Sequence, residues 1–196
     1  MNTVVTTPTE ELVRAACVEF DRQNSVIEEA LTELFSQYPD NSVLRHVLLK
    51  VVALNSLYST QIGVYCEAIP NIVDVARHIH QNFRAIDAGL GAHSPEVVDR
   101  IAMVIVSGKK DRNYFSFATK YCSWHKLDWY PIWDSKVDRY LRCLQKQTGF
   151  AKEFDLNAHW KYTAFRDVMS AFSERYGLAS FSFKEIDKFL WSYGGK

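Results

Sequence analysis

The sequence predicts an all-α fold, arranged as a two-lobed helical domain with a helix-hairpin-helix motif. Apolar residues recur at the three- and four-residue spacing of helices, and capping motifs precede several of these runs. No stretch alternates polar and apolar residues as a half-buried strand does. Only eight glycines and five prolines occur in 196 residues, and the prolines fall at element edges. The chain is long enough to bury an apolar interior as one domain.

Composition describes a globular chain without net charge. Hydrophobic residues make up 47%, and 23 basic residues balance 23 acidic ones. Nucleic-acid-binding domains usually carry a basic excess, so this balance counts mildly against that class without excluding it. No apolar run is long enough for a membrane span, and the N-terminus lacks the pattern of a secretory signal. The four cysteines are far apart, which argues against a metal cluster and favours reduced thiols in a cytoplasmic protein. We also expect a monomer without a metal or cofactor.

The first third of the chain predicts helices separated by a turn. Thr7–Glu10 is a capping box with proline at the first helical position. Ser25–Glu28 repeats the capping signal, which predicts two helices or one broken helix before residue 38. Tyr38–Asn41 predicts a turn, and a strongly apolar helix from Val43 to Leu54 follows it. A polar interruption at 55–61 ends that helix.

The remaining elements follow the same logic. Helices are predicted over 71–86, from Ser94 to about Ser107, from Phe115 to Cys122, from Asp134 onward, over 157–176 and over 183–191. Loops are predicted at 88–91 and at 109–113. The capping box at Ser182–Glu185 indicates the start of the last helix.

The segment from Ser116 to Leu141 is the most informative part of the chain. It predicts a helix, then a loop crowded with Trp and Tyr, then a second helix that Pro131–Asp134 opens. A carboxylate on the first turn of a helix, next to such a loop, can act on a flat aromatic group. The alternative is that the carboxylate only begins the helix.

This order of helix, glycine-containing hairpin, helix, loop and Pro-x-x-Asp resembles the helix-hairpin-helix DNA glycosylases, in particular a divergent member similar to the 8-oxoguanine and endonuclease III-like enzymes. The signature residues are Pro131, Asp134, Val137 and Arg139. Counting back from the aspartate reaches Ser116, where bifunctional members keep a nucleophilic lysine, and Ala118 matches a small residue beyond it. The resemblance covers roughly residues 43–145.

The hairpin departs from the family pattern. Members read Leu-Pro-Gly-x-Gly, whereas this chain has Val106–Asn113 with a single glycine. The resemblance implies that the hairpin binds a DNA phosphate, with side chains compensating for the lost glycine. The DNA-binding residues implied there are Gly108, Lys109, Lys110, Arg112 and Asn113. The four-cysteine cluster of some members is missing.

The resemblance implies that Asp134 is the catalytic carboxylate, which stabilises an oxocarbenium-like sugar or activates water. Ser135–Asp138 is itself a capping pattern, so Ser135 could cap the helix and leave Asp134 for chemistry. Ser116 and Lys120 share one helix face as further catalytic candidates. Serine in the lysine position predicts attack by water and an abasic site without a nick. Lys120 either reaches the sugar or contacts phosphate or solvent.

Aromatic and polar residues complete the predicted site. The pocket for a flipped base is assigned to Trp124, Trp133, His125 and Trp129. Gln61, Tyr58 and Asn55 are assigned to the gap that the extruded base leaves in DNA. The alternatives are that these aromatic residues pack in the core and that the polar ones satisfy a helix end.

The function predicted from the sequence is therefore a monofunctional DNA glycosylase that excises a damaged or modified base. Its divergence also raises modified bases of phage DNA as substrates, and DNA repair or antiviral defence as its role. The alternative is a non-catalytic helical module for DNA or protein binding on a glycosylase scaffold. A third interpretation is a helical protein without any nucleic-acid role.

Overall fold

The computed structural model describes residues 4–60, 62, 68–105, 111–156 and 161–194. Within these ranges it contains nine α-helices and one two-stranded antiparallel sheet, which confirms a mostly helical fold. None of the helices in these ranges combines the length and apolar character that a membrane span needs.

The elements are bounded as follows. The helices are α1 Glu10–Gln37, α2 Leu44–Tyr58, α3 Ala68–Gln81, α4 Phe83–Gly91, α5 Glu96–Ala102, α6 Phe115–His125, α7 Ser135–Thr148, α8 Tyr162–Arg175 and α9 Phe183–Tyr193. The strands are β1 Met103–Val104 and β2 Arg112–Asn113, with Met103 opposite Asn113 and Val104 opposite Arg112.

The chain divides into two compact units. Unit 1 comprises Met1–Ser25 and Leu127–Lys196, and unit 2 comprises Val26–Lys126, so the boundary falls within α1. Unit 1 therefore holds α7, α8 and α9, and unit 2 holds α2 to α6 with the small sheet.

Unit 2 is built around α6. The helix α2 packs against α3 and α6, and α5 packs against α6. Eight consecutive residues of α6, from Phe117 to Trp124, are buried, including the polar residues Thr119, Lys120 and Ser123. A helix enclosed on all sides cannot direct its polar groups to water, so they must find partners inside the protein.

Unit 1 follows the amphipathic pattern more closely. In α7 the buried residues Val137, Tyr140, Leu141 and Leu144 recur at positions i, i+3, i+4 and i+7. The Tyr140 ring meets the Phe172 ring of α8 and the Phe189 ring of α9 edge to face. The capping box predicted at Ser182 and Glu185 is confirmed at the start of α9.

Two predictions near the N-terminus are wrong. The helix α1 runs without a break through Ser25, because the apolar stripe that continues to Leu31 and Phe35 overrides the local capping motif. It begins at Glu10 rather than at Pro8, and the Thr9 side-chain oxygen accepts the Leu12 backbone N–H at 3.3 Å.

The hairpin region also differs from the prediction. The helix α5 ends at Ala102 instead of near Ser107, because Met103 and Val104 leave the helix and pair with β2. The Tyr114 N–H then donates to the Ala102 carbonyl at 2.8 Å. Residues 106–110, with Gly108, Lys109 and Lys110, lie outside the described ranges, so the helix-hairpin-helix motif stays a prediction.

The long helix predicted over 71–86 and the loop predicted after it are also corrected. The helix is interrupted at Asn82, whose side-chain amide donates to the His78 carbonyl at 2.8 Å. The helix α4 then continues to Gly91 through the residues predicted as a loop.

Candidate functional site

Asp134 caps the first turn of α7. Its backbone is extended, with φ −149°, and this directs the carboxylate over the helix start. Oδ1 accepts the backbone N–H groups of Lys136 at 2.9 Å and Val137 at 3.0 Å. Ser135 is an exposed first helical residue, so the prediction that Ser135 caps the helix is wrong. Both bonds end on Oδ1, and the cap therefore uses one oxygen of a half-buried carboxylate.

The segment that leads into Asp134 is held firmly within unit 1. The Pro131 carbonyl accepts the buried Tyr162 hydroxyl at 3.0 Å. Arg139, a residue of the predicted signature, donates from Nε to the Gly194 carbonyl at 3.1 Å. The side chain of Arg139 therefore holds the end of α9 against α7.

Four residues predicted for the site lie together in unit 2. Ser116, Lys120 and Trp124 occupy one face of α6, and Tyr58 is the last residue of α2. We call these four residues the α6 cluster. Lys120 Nζ donates to Ser116 Oγ at 2.9 Å and lies 5.9 Å from the centre of the Tyr58 ring. The Trp124 indole donates to the Tyr58 hydroxyl at 3.2 Å.

Burial differs among the members of the α6 cluster. Lys120 is 2% exposed and Trp124 is 4% exposed, whereas Ser116 and Tyr58 are half-buried. The Trp124 ring is also covered by Phe35, with 6.1 Å between the ring centres. The exposed surface of the cluster therefore belongs mainly to Ser116 and Tyr58.

The turn after α2 is held by Asn55. Its Oδ1 accepts the Thr60 hydroxyl at 3.0 Å and the Ile62 backbone N–H at 3.1 Å. Ser59, between them, adopts a left-handed conformation with φ 48°. This is the local helix-end role that the sequence offered as the alternative for Asn55.

The remaining predicted residues belong to other segments of the chain. Trp129 is 45% exposed and Trp133 is half-buried, both in the loop before α7. Arg112 and Asn113 are exposed on β2, as a phosphate-binding role requires. Gln61, like Gly108, Lys109 and Lys110, lies outside the described residues.

A second polar cluster in unit 2 was not predicted. It comprises the turn Tyr38–Asn41 with Lys50 of α2, His80 of α3, Asp87 of α4, and Tyr121 and His125 of α6, and we call it the Asn41 network. Lys50 has no exposed surface. Its Nζ donates to the carbonyls of Tyr38 at 3.1 Å and Asp40 at 3.0 Å, and to Asn41 Oδ1 at 2.9 Å.

Asn41 is the centre of this network and is completely buried. Its Nδ2 donates to Asp87 Oδ1 at 2.6 Å, and its backbone N–H donates to Asp87 Oδ2 at 3.1 Å. Its Oδ1 also accepts the Tyr121 hydroxyl. The ring of His80, in α3, contacts the Asn41 carbonyl at 3.3 Å. One asparagine thus connects four helices of unit 2.

Burial governs the ionisation of the network. Desolvation lowers the pKa of Lys50 to about 8, although Asp87 and Asp40 oppose the change. Desolvation also holds the pKa of His125 well below its usual range, and the positive charge of Lys50 adds to this. His125 is neutral, and its Nε2 lies 3.2 Å from Lys50 Nζ, so the two groups together carry one positive charge.

The sequence held one signal for this network. Lys50 lies among Val47, Val51 and Leu54, on the face of α2 that packs into the core. A lysine on an apolar helix face must either reach the surface or find acceptors inside. The acceptors here are oxygens of Tyr38, Asp40 and Asn41. His125, predicted for the base pocket, lies beside the same ammonium group.

Comparisons with known proteins cover all of unit 2 and part of unit 1. Residues 12–129 match the protein-family model HI_0787_N, which is described as an N-terminal domain. An uncharacterized protein of Haemophilus influenzae is 32% identical over 157 residues, which cover 79% of this chain and 69% of that protein. No solved structure matches the chain. The family match includes the α6 cluster and the Asn41 network, and it ends before Asp134.

Proposed function

The chain belongs to the HI_0787_N family, and we propose that it is a DNA glycosylase that hydrolyses the N-glycosidic bond of a damaged or modified base. The observation that carries the proposal is the α6 cluster. Its members come from separate stretches of sequence, yet Tyr58 of α2 contacts Lys120 and Trp124 of α6, and Lys120 donates to Ser116.

Asp134 supplies the catalytic carboxylate in this proposal. Water adds its oxygen to C1′ of the sugar as the C1′–N bond breaks, and the electron pair of that bond leaves with the base. The carboxylate stabilises the positive charge that develops on the sugar and accepts a proton from the water, and the departing base takes up a proton. The two N–H donors that fix Oδ1 support this role, because they hold the carboxylate in one orientation.

The α6 cluster binds the nucleotide in this proposal. Ser116 and Tyr58 offer hydroxyl groups at the accessible side, and the Lys120 ammonium adds positive charge behind them. Lys120 donates to Ser116, which occupies the position where bifunctional members keep a nucleophilic lysine. We therefore propose hydrolysis by water, with an abasic site as product and no strand cleavage.

The substrate class is a base altered by damage or by enzymatic modification, including modified bases in phage DNA.

A second function is supported by two observations. Asp134 caps α7, which is a structural role that a helix needs with or without catalysis. The formal net charge of the chain is zero. Both facts favour a non-catalytic helical module that binds DNA or protein.

Base release decides between these functions. Wild type and Asp134→Asn are compared on a panel of duplexes that each carry one modified base. Asparagine caps helices about as well as aspartate, so the variant keeps α7 while it loses the charge. We expect wild type to release at least one base and the variant to be at least about 100-fold slower, the size of loss seen for an electrostatic catalytic group.

Asp138→Asn is the matched control, because it removes from the same helix a carboxylate that forms an ion pair with Arg142. It should keep wild-type activity. Equal release by wild type and Asp134→Asn, or no release by either, contradicts the glycosylase proposal. DNA affinity that falls with salt would then support the binding module.

A further inference from the structure

We propose that Lys50 is a positioning residue, whose protonated side chain fixes the rotation of α6 through Asn41 and His125 and so aligns the α6 cluster. The alignment itself is a property of unit 2. Its value for base excision rests on the proposed function.

The geometry links the two clusters through one helix. Tyr121 and His125 belong to the Asn41 network, and Lys120 and Trp124, the residues just before them, belong to the α6 cluster. Adjacent residues of an α-helix differ by about 100° around its axis, so the clusters occupy neighbouring faces. A rotation of α6 that relaxes one cluster must displace the other.

The number of protons on Lys50 sets the number of bonds in the network. An ammonium group has three N–H donors, and three oxygens accept them within 3.1 Å, with His125 Nε2 as a fourth neighbour at 3.2 Å. A neutral amine has two donors. Loss of one proton therefore removes at least one bond that ties the turn Tyr38–Asn41 to α2, and it also removes the cation above the rings of Phe35 and Tyr121.

The other titratable groups around Lys50 come from every element of the network. They are Asp40 of the turn, His46 of α2 stacked on Tyr38, His80 of α3, Asp87 of α4, and Tyr121 and His125 of α6. The carboxylates favour the ammonium form, whereas burial favours the amine, and burial prevails. The proton on Lys50 is therefore exchanged in a mildly alkaline range, with a pKa of about 8.

The test is ¹⁹F NMR of the full chain labelled with 5-fluorotryptophan, without DNA. Trp124 lies on α6 beside Phe35, whose ring also faces Lys50 and His125, so its signal reports on the network. Loss of the signal in Trp124→Phe assigns it. We expect the wild-type signal to move with a midpoint near pH 8. Trp191 of α9, in unit 1, is the internal reference and should not move with that midpoint.

Lys50→Met keeps the length of the side chain and removes the charge. Its Trp124 signal should hold the alkaline wild-type position at every pH. Lys126→Met is the control, since Lys126 is exposed and its charge also acts on His125, and it should titrate like wild type. A Lys50→Met signal that matches wild type at pH 7 overturns the proposal.

The wild-type titration alone also decides the question if Lys50→Met does not fold. A Trp124 signal that stays constant between pH 7 and 9 overturns the positioning role. A purely structural lysine would also give a constant signal. Base release is measured separately, and kcat should fall above pH 8 at constant KM. Absence of base release refutes the proposed function only. The Trp124 signal then still tests whether Lys50 aligns the α6 cluster.

Discussion

The helices α6 and α7 carry the main residues of the proposed site, yet their side chains are buried to different extents. In α6, eight consecutive residues are buried, and Thr119, Lys120 and Ser123 are among them. In α7, four apolar residues are buried on one face, and the charged residues lie on the others. The buried polar side chains of α6 need hydrogen-bond partners inside the protein. In α7, the polar groups that need such partners lie chiefly at the two ends of the helix. Substitutions should therefore cost most around α6.

The largest effect is expected at the residue that joins α6 to the other helices of unit 2. Asn41→Ala removes one hydrogen-bond partner from each of three groups, namely Lys50 Nζ, the Asp87 carboxylate and the Tyr121 hydroxyl. We expect the free energy of unfolding to fall by about 3–5 kcal/mol, as when a buried charge loses its partner. Chemical denaturation measures it, and Asn113→Ala, at an exposed site, should change it by less than about 0.5 kcal/mol. A loss below about 1 kcal/mol for Asn41→Ala would remove the contrast with α7.

The second effect is the pH dependence of stability. Burial lowers the pKa of Lys50 from 10.5 to about 8, so between these values the unfolded chain binds more protons than the folded one. Stability should therefore rise with pH from about 8, by a total on the order of 3 kcal/mol. Burial also raises the pKa of Cys122 and of Tyr121, and both oppose the rise, from about pH 9 for the thiol and from about pH 10 for the phenol, where each group ionises in the unfolded chain.

Denaturation midpoints from pH 7 to 9.5 measure this rise, and Lys50→Met should abolish it. On the acid side, His125 is neutral in the fold and takes up a proton when the chain unfolds, because its folded pKa is depressed. Stability should therefore fall as the pH drops below about 6.5. A wild-type curve that is flat from pH 8 to 9.5 would mean that the burial of Lys50 carries no net cost.

The third effect concerns the start of α7. Asp134→Ala removes both cap hydrogen bonds and should cost about 1 kcal/mol, whereas Asp134→Asn should cost only a few tenths. Ser182→Ala in the capping box of α9 is the matched change and should cost a similar amount. Thermal unfolding compares the three variants. A cost of several kcal/mol for Asp134→Asn would show that activity losses in this variant reflect folding.

The smallest effect is expected on the surface of α7. Arg142 and Asp138 form an i, i+4 ion pair at 2.7 Å, with 29% and 19% of their side chains exposed. A double-mutant cycle should give a coupling below about 1 kcal/mol, reduced further by salt. A coupling as large as the loss in Asn41→Ala would show that α7 is no more tolerant than α6.

The same contrast explains what the sequence could predict. The helix α7 and the capping box of α9 were predictable because their signals are local: a buried stripe with helical spacing and cap residues at fixed offsets. The choice between Asp134 and Ser135 as cap was not predictable, since both residue types favour that position. The extended backbone at Asp134 decided it.

The Asn41 network could not have been derived from any single segment. Its members come from α2, α3, α4, α6 and one turn, and nothing local in Tyr38–Asn41 distinguishes it from an ordinary exposed turn. The observed helix ends also differ from the predicted ones where tertiary contacts determine them. The ladder of β1 with β2 ends α5 at Ala102, and the continuous apolar stripe carries α1 through Ser25.

Gly194 lies far from Asp134 along the chain, yet the two belong to the same local structure. A Cβ added at Gly194 would lie 2.7 Å from the Lys136 carbonyl oxygen, inside the first turn of α7, and 2.7 Å from that of Leu190. Both are backbone atoms and not the ends of flexible side chains. Even an alanine at position 194 would therefore have to displace the backbone of α7 or α9. In a random screen for inactive clones, the codon for this glycine should therefore yield hits beside those for Asp134.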